Sequence, residues 1–485
     1  MRDGKPQHAH FIGICGKAMG GIATALASEG WRVTGSDERC YGPMKNYLQA
    51  CGLPIRTPFA AGNVPDEADL AIIGKRVTAD NPELLEVARR GIRRRSFPQF
   101  LREHFLFRSR NAVVTGGVGK TTTTAMLAWI LEQNGFRPDY LIGGIARNFP
   151  ASAKFSGSEF AILEGDEYSS CFDDRNPKFL HYRAEVGVIT NIIEDHPDIY
   201  RSFDDLCDAF AAFIETLPAS GCLIVPDDDA AAAKLTLHAA CNVITIGFST
   251  VATERISSVR LFADRSCFRL RNQDFEISLC GRMNIRNAAM AAMAAAHFGV
   301  GLAQSAAALQ LFQGVEKRQD ERPIGNCTLV QDKASHPHAL EELARALRQR
   351  FPGRRLVSII QPRATGGKEW IYQRNLPRAL SHFDQVVLTS PHEHNPPPTQ
   401  VWANDPFCLD LLAFGLKSRS VDVVIARSIP EIETAIRGHI CDEDVAVLTV
   451  LEQSEYLAQA VEKSLREITW RARDRRLVGR DAAAA

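Results

Sequence analysis

Short apolar runs recur along the chain, each ending in a glycine-bearing turn that opens a segment with helical periodicity. That rhythm predicts strands buried on both faces and separated by helices, as in doubly wound α/β sheets. Ala9-His-Phe-Ile-Gly-Ile14 predicts a strand that passes through Cys15-Gly16-Lys17-Ala18-Met19-Gly20-Gly21 into a helix ending near Glu29. Two further strands, at Arg32-Val-Thr34 and Asp69-Leu-Ala-Ile-Ile-Gly74, complete a first small unit.

A second unit starts near 108, with strands at 111–116, Phe160–Glu164, Glu185–Thr190 and Cys222–Pro226. The alternating stretch 257–280 has an antiparallel pattern, and two helices follow at 287–298 and 302–313. From about 320 the strand–helix alternation resumes, with strands at Cys327–Gln331, Arg355–Ile360, Gln385–Leu388, Asp422–Ile425 and Val445–Val450. The predicted fold class is α/β with three domains: 1–107 and 320–470, both Rossmann-like, and between them 108–319, of the phosphate-loop ATPase type. Residues 471–485, arginine-rich and ending in alanines, predict a disordered tail.

Length supports the division, since 485 residues at about 150 per domain suggest three cores. Basic and acidic residues balance at 57 each, which argues against nucleic acid or an anionic membrane as partner. With no long apolar run, a cytoplasmic monomer or weak homo-oligomer is expected. The 12 cysteines are scattered without a C-x-x-C pair, which predicts reduced, mostly buried thiols.

Candidate chemistry concentrates in the second unit. Gly116-Gly117-Val118-Gly119-Lys120-Thr121-Thr122 follows a buried strand and opens a helix, the context of a loop that cradles a nucleotide triphosphate. Lys120 would bring a point charge to the terminal phosphates, and the Thr121 hydroxyl could ligate Mg²⁺. Two acidic clusters each close an apolar strand: Glu164-Gly165-Asp166-Glu167-Tyr168 and Asn191-Ile192-Ile193-Glu194-Asp195-His196. Ligands of α/β sheets sit beyond the carboxyl ends of strands, so both clusters should face the loop, with Glu164 and His196 as Mg²⁺ contacts. In the first unit Gly13, Gly16 and Gly20 depart from G-x-G-x-x-G. They suit a diphosphate at a helix N-terminus with Asp37 on a ribose or sugar hydroxyl, and equally a turn needed only for packing.

Together these stretches resemble the Mur ligase family, whose members carry G-T-x-G-K-T-T, E-A-D-E-x-D, N-x-E-x-D-H, G-x-H-N-x-x-N and F-x-G-V-x-x-R-x-[DE] in this order. The matching positions are Gly116–Thr122, Glu164–Ser169, Asn191–His196, Gly281–Asn287 and Phe312–Asp320. The opening, His10-Phe-Ile-Gly-Ile-Cys-Gly-Lys-Ala-Met-Gly-Gly21, is most similar to members that join UDP-N-acetylmuramate to the tripeptide L-alanyl-γ-D-glutamyl-meso-diaminopimelate in peptidoglycan recycling. Members that add L-alanine to the same nucleotide sugar are the near alternative. A degenerate protein that binds the nucleotides without ligating is a third.

The resemblance implies a two-step reaction with ATP and Mg²⁺: a carboxylate becomes an acyl phosphate, and an amine then displaces phosphate. It assigns the transferring phosphate to Lys120 and Arg318, and the metal to Thr121, Glu164 and His196. Gly116, Gly117, Gly119 and Thr122 would line the phosphates. Asn284 and Asn287 would meet the adenine and Asp332 the ribose. Gly13, Gly16, Met19, Gly20 and Asp37 would hold the UDP part, with Arg363 and His336 on the amine side.

The chain also departs from the family pattern. Gly117 and Val118 stand where members have Thr and, in this branch, His; Ile193 replaces a Glu and Met283 a His. Gln331-Asp-Lys-Ala-Ser-His-Pro337 keeps only part of D-D-[FY]-x-H-H-P, and Leu451–Leu457 lacks the glycines of S-N-G-G-F-G-G.

Overall fold

A computed structural model of the protein describes residues 7–40, 42–195, 199–362, 369–389, 408–449 and 455–484. It contains three sheets. The first is wholly parallel, in the order Ile55–Arg56, Arg32–Ser36, His8–Ile12, Leu70–Ile73, Arg93–Ser96. Chain order reverses between His8–Ile12 and Leu70–Ile73, which pair through Ile12 and Ile73. A crevice therefore opens beyond those two residues, the switch point where such sheets bind ligands. Arg93–Ser96 escaped the hydrophobic pattern because it is an edge strand dressed in exposed arginines, which discourage pairing with another chain.

Ten strands make the central sheet. Its parallel part runs Asn242–Gly247, Cys222–Pro226, Ala184–Ile189, Arg110–Thr115, Phe160–Glu164, Asp139–Leu141. The alternating stretch forms a meander, Glu254–Leu261, Ser266–Leu270 and Gln273–Ile277, as its period of two required. On one face the helix Lys120–Gln133 packs against Arg282–His297, where alanines and methionines allow close approach. The other face shares a continuous core with the first domain, Phe11, Ile22 and Phe100 meeting Val113, Leu163 and Leu223. At that seam a Cβ on Gly21 would lie 2.7 Å from Ala153 Cβ, so only glycine lets the first helix sit this close.

The hairpin Asp320–Ile324/Cys327–Asp332 opens the third sheet, which continues in parallel through Val445–Thr449, Leu356–Ile360, Gln385–Thr389 and Asp422–Ala426. Apolar clusters cover both of its faces. The last helix of the described residues is Glu455–Ala484. One expectation is corrected. The cysteines are not all thiols: Cys15 and Cys40 form a disulfide, their Cα atoms 6.0 Å apart, while the other ten lie outside any disulfide. Spacing in the sequence could not pair them; the parallel strands that bring residue 15 beside the turn after Ser36 do. Among the described residues no helix is long and apolar enough to cross a membrane.

Candidate active site

The strand Arg110–Thr115 lies between Phe160–Glu164 and Ala184–Ile189, with Val114 opposite Glu164 and Thr115 opposite Ile189. The glycine loop and both predicted acidic clusters therefore leave one edge of the sheet side by side. Gly116 and Gly119 have φ of +119° and +97°, left-handed values that favour glycine. Gly119 caps the helix Lys120–Gln133 without any side-chain acceptor, leaving first-turn N–H groups aimed into the loop as an anion cradle.

Lys120 donates to the carbonyls of Gly116 and, at 3.2 Å, Gly117, and its Nζ lies 2.9 Å from Glu167 Oε1. Burial works against the charged ammonium, but Glu167 and Glu164 outweigh it and raise the Lys120 pKa. Thr121 donates its hydroxyl to Glu164 Oε1 at 3.0 Å, and the Gly143 N–H donates to Glu164 Oε2 at 2.7 Å. Burial pushes the Glu164 carboxyl above its usual range despite Lys120, Gly143, Thr121 and Arg318. Thr122 is buried beside Thr121. Lys178 approaches Asp166 to 2.6 Å, and Lys75 of the first domain lies over the Tyr168 ring. Asp166 is desolvated, yet Lys178, Lys120 and Lys75 hold its carboxyl below the usual range.

In the first-domain crevice Gly13 has φ +89°, and Gly16 caps the helix Lys17–Ser28 with no side-chain acceptor. The Cys15 N–H donates to Asp37 Oδ2 at 2.9 Å; burial raises the Asp37 carboxyl against that bond. Met19 is buried, and a Cβ on Gly20 would meet Met44. These five residues gather at one strand-to-helix turn.

The third domain closes on the loop. Val118 packs against the cluster containing Val330 and Ala334. Asp332 accepts from the Gln319 and Ala334 N–H groups, both at 2.7 Å, and lies 3.9 Å from Arg318. Its burial raises the carboxyl pKa in spite of Arg318. His336 caps the helix Pro337–Arg350 through Nδ1 and donates from Nε2 to the Glu194 carbonyl at 3.2 Å. Asn287 abuts the loop, since a Cβ on Gly119 would lie 2.7 Å from Asn287 Oδ1. Asn284 donates to the Cys280 carbonyl at 2.8 Å and sits one helical turn before Asn287. His196 and Arg363 fall outside the described residues, as do 451–454.

Residues 8–108 match the Mur ligase family, catalytic domain, and residues 114–296 the Mur ligase middle domain. The UDP-N-acetylmuramate–L-alanyl-γ-D-glutamyl-meso-2,6-diaminoheptandioate ligase of Haemophilus influenzae is 33% identical over 397 residues, 80% of this chain and 86% of that protein.

This chain belongs to the Mur ligase family.

The UDP-N-acetylmuramate–L-alanine ligase of Halorhodospira halophila is 32% identical over 464 residues, 92% of this chain and 91% of the relative. Among solved structures, a murein peptide ligase from Psychrobacter arcticus superposes with a TM-score of 0.71 at 24% identity, covering 95% of this chain and 99% of its own. The UDP-N-acetylmuramate–alanine ligase of Thermotoga maritima reaches 0.75 at 23%, covering 96% and 99%. The Mur ligase is thus an ATP-dependent ligase of three-domain α/β architecture.

Two residues of this Mur ligase were missed by sequence reasoning. Glu167, the direct partner of Lys120, has only its place as the second Glu of the motif to set it apart within the acidic cluster. Asn191 was read only as the start of a motif. Its side chain in fact grips both the N–H and the carbonyl of Val118, at 3.0 and 2.7 Å. No pattern of polarity announces such a brace, because it depends on two strands being neighbours.

Proposed function

We propose that this Mur ligase activates the carboxylate of UDP-N-acetylmuramate with ATP and joins it to the tripeptide L-alanyl-γ-D-glutamyl-meso-diaminopimelate. The observation that carries the reading is the convergence of Lys120, Thr121 and Glu164 on one glycine loop under a third-domain lid. The similarity of the chain to the Haemophilus influenzae ligase named for that tripeptide supports the choice of amine.

In this reading the N–H groups after Gly119 hold the triphosphate, and Lys120 swings from Glu167 onto the transferring phosphate. Arg318, beside Asp332, neutralises the same charge from the third-domain side. Positioning and charge neutralisation supply the rate, since phosphoryl transfer needs little covalent help from the protein. The Thr121 hydroxyl and Glu164 carboxylate are hard oxygen donors suited to Mg²⁺, which prefers one or two protein oxygens plus phosphates and water. Bound there, the cation would screen the phosphate oxygens as charge develops. Asn287, against Gly119, and Asp332 bound the nucleotide side. The first-domain turn Gly13–Gly20 with Asp37 takes the UDP part.

The wider coverage of the L-alanine ligase relative favours a second reading in which the amine is a single amino acid. Incubation of the full chain with ATP, Mg²⁺ and UDP-N-acetylmuramate separates the two: phosphate release stimulated by tripeptide supports the first, stimulation by L-alanine alone the second. Nucleotide binding without amine-dependent turnover would sink both.

A further inference from the structure

The phosphate loop has three glycines, and backbone conformation accounts for two of them. Gly116 and Gly119 take positive φ; Gly117 does not, so its backbone would accept any residue. What excludes a side chain at 117 is Ile193. A Cβ there would fall on Ile193 Cγ1, 2.6 Å from its Cδ1 and 2.9 Å from Asn191 Oδ1. A side chain at 117 would have to displace the Cγ1–Cδ1 arm of the half-buried Ile193 and press on the Asn191 amide that clasps Val118.

The segment that carries Ile193 holds the loop at several points. The Asn191 carbonyl accepts from the Gly117 N–H at 3.2 Å, while its side chain clasps Val118. One residue after Ile193, the Glu194 carbonyl receives His336 of the third domain, and Val118 itself packs on that domain's core. Residues 191–194 thus touch the loop on one side and the closing domain on the other. Gly117 and Ile193, read separately as losses of polar side chains, are two halves of one steric fit.

We propose that Ile193 is a positioning residue for the phosphate loop, matched in volume to Gly117, and that the pair sets the loop geometry in which ATP is received. The inference rests on the loop being the ATP site. The consequence is that these two departures from the family pattern are compensated, and the loop is built to bind nucleotide.

A double-mutant cycle on the full chain tests it, with KM for ATP, KM for UDP-N-acetylmuramate and kcat measured for each variant. Gly117→Ala is expected to raise KM for ATP about tenfold or more, the scale of coupling between residues in contact. KM for the nucleotide sugar should stay near the parent value, a split that general destabilisation would not produce. Adding Ile193→Ala to that variant makes room for the new methyl and should return KM for ATP to near that of Ile193→Ala alone. An ordinary KM in Gly117→Ala, or a double variant no better than Gly117→Ala, overturns the proposal. If Gly117→Ala does not fold, a folded double variant with near-parent KM supports the pair, and one that also fails to fold refutes it. Lys120→Ala separates the two levels: near-parental turnover after that change rejects the loop as the ATP site, whereas the expected large loss of turnover with no coupling between 117 and 193 rejects only the pair.

Discussion

Lys120 is folded back into an acidic ring, paired with Glu167 and close to Glu164, with its ammonium stabilised against burial. A triphosphate competes for it by offering more negative charge at the cradle than one carboxylate does. Replacing it with alanine should cost roughly 10³-fold in kcat, the scale of one lost charge-stabilising donor, with the far-ultraviolet circular dichroism unchanged. Near-parental turnover would contradict that role. Glu164 allows a test by pH. Its folded carboxyl is raised by burial, so its contribution to stability is complete below the ordinary Glu value of about 4.3 and is lost as pH rises through the folded value. Glu164→Gln removes that loss. The ligand-free variant should melt above the parent at pH 7 but not at pH 4, and should need about 10- to 100-fold more Mg²⁺ for half-maximal rate. Equal melting at both pH values would count against the burial argument. At this scale the sequence was informative: Lys120, Thr121 and Glu164 could be singled out because phosphate chemistry demands those residue types after a strand. Glu167 escaped because a carboxylate in an acidic cluster looks the same whether it binds a lysine or faces water.

Elements decide what those residues can reach. The loop is held by the neighbouring strand end through Asn191, whose two side-chain hydrogen bonds to Val118 are worth about 1 kcal/mol each. Asn191→Ala should therefore raise KM for ATP about tenfold or more while leaving the melting temperature within a few degrees. An unchanged KM would show that the loop keeps its shape without the clasp. In the first domain the Cys15–Cys40 bond ties the turn after His8–Ile12 to the segment after Arg32–Ser36, across a separation of 25 residues. Closing a loop of that length stabilises by about 3 kcal/mol in the chain-entropy account. Cys40→Ser should lower the melting temperature without reductant and match the parent with it; identical melting in both conditions would mean that the bond is not populated in solution. The main strands were legible as apolar runs. The arginine edge strand was not, because pairing partners outweighed composition there.

At the scale of the molecule, the third domain is seated by polar contacts around the start of the helix Arg282–His297. Gln349 accepts from the Gly281 N–H at 2.8 Å and donates to Ser266 Oγ at 3.0 Å, while Arg350 donates to the Ala263 carbonyl at 2.9 Å. Gln349 is one side chain serving both domains, so its loss should loosen the lid without touching the loop. Gln349→Ala is expected to lower kcat for amide formation about fivefold, in keeping with about 1 kcal/mol of lost hydrogen bonding, with ATP affinity unaffected. A parallel loss of ATP affinity would place Gln349 in nucleotide binding instead. The first two domains differ in this respect: they share one apolar core.

The sequence alone determined the three α/β units, the phosphate loop and the residue types that surround it. Those follow from local rules: strands buried on both faces must be apolar, and a loop that wraps phosphate must be rich in glycine and carry a lysine. Only the tertiary structure decided which acid meets Lys120, that Cys15 and Cys40 join, and that Gly117 is small because Ile193 is large. Each of these depends on which strands lie side by side, and that order is set by burial across the whole sheet, which no local pattern encodes.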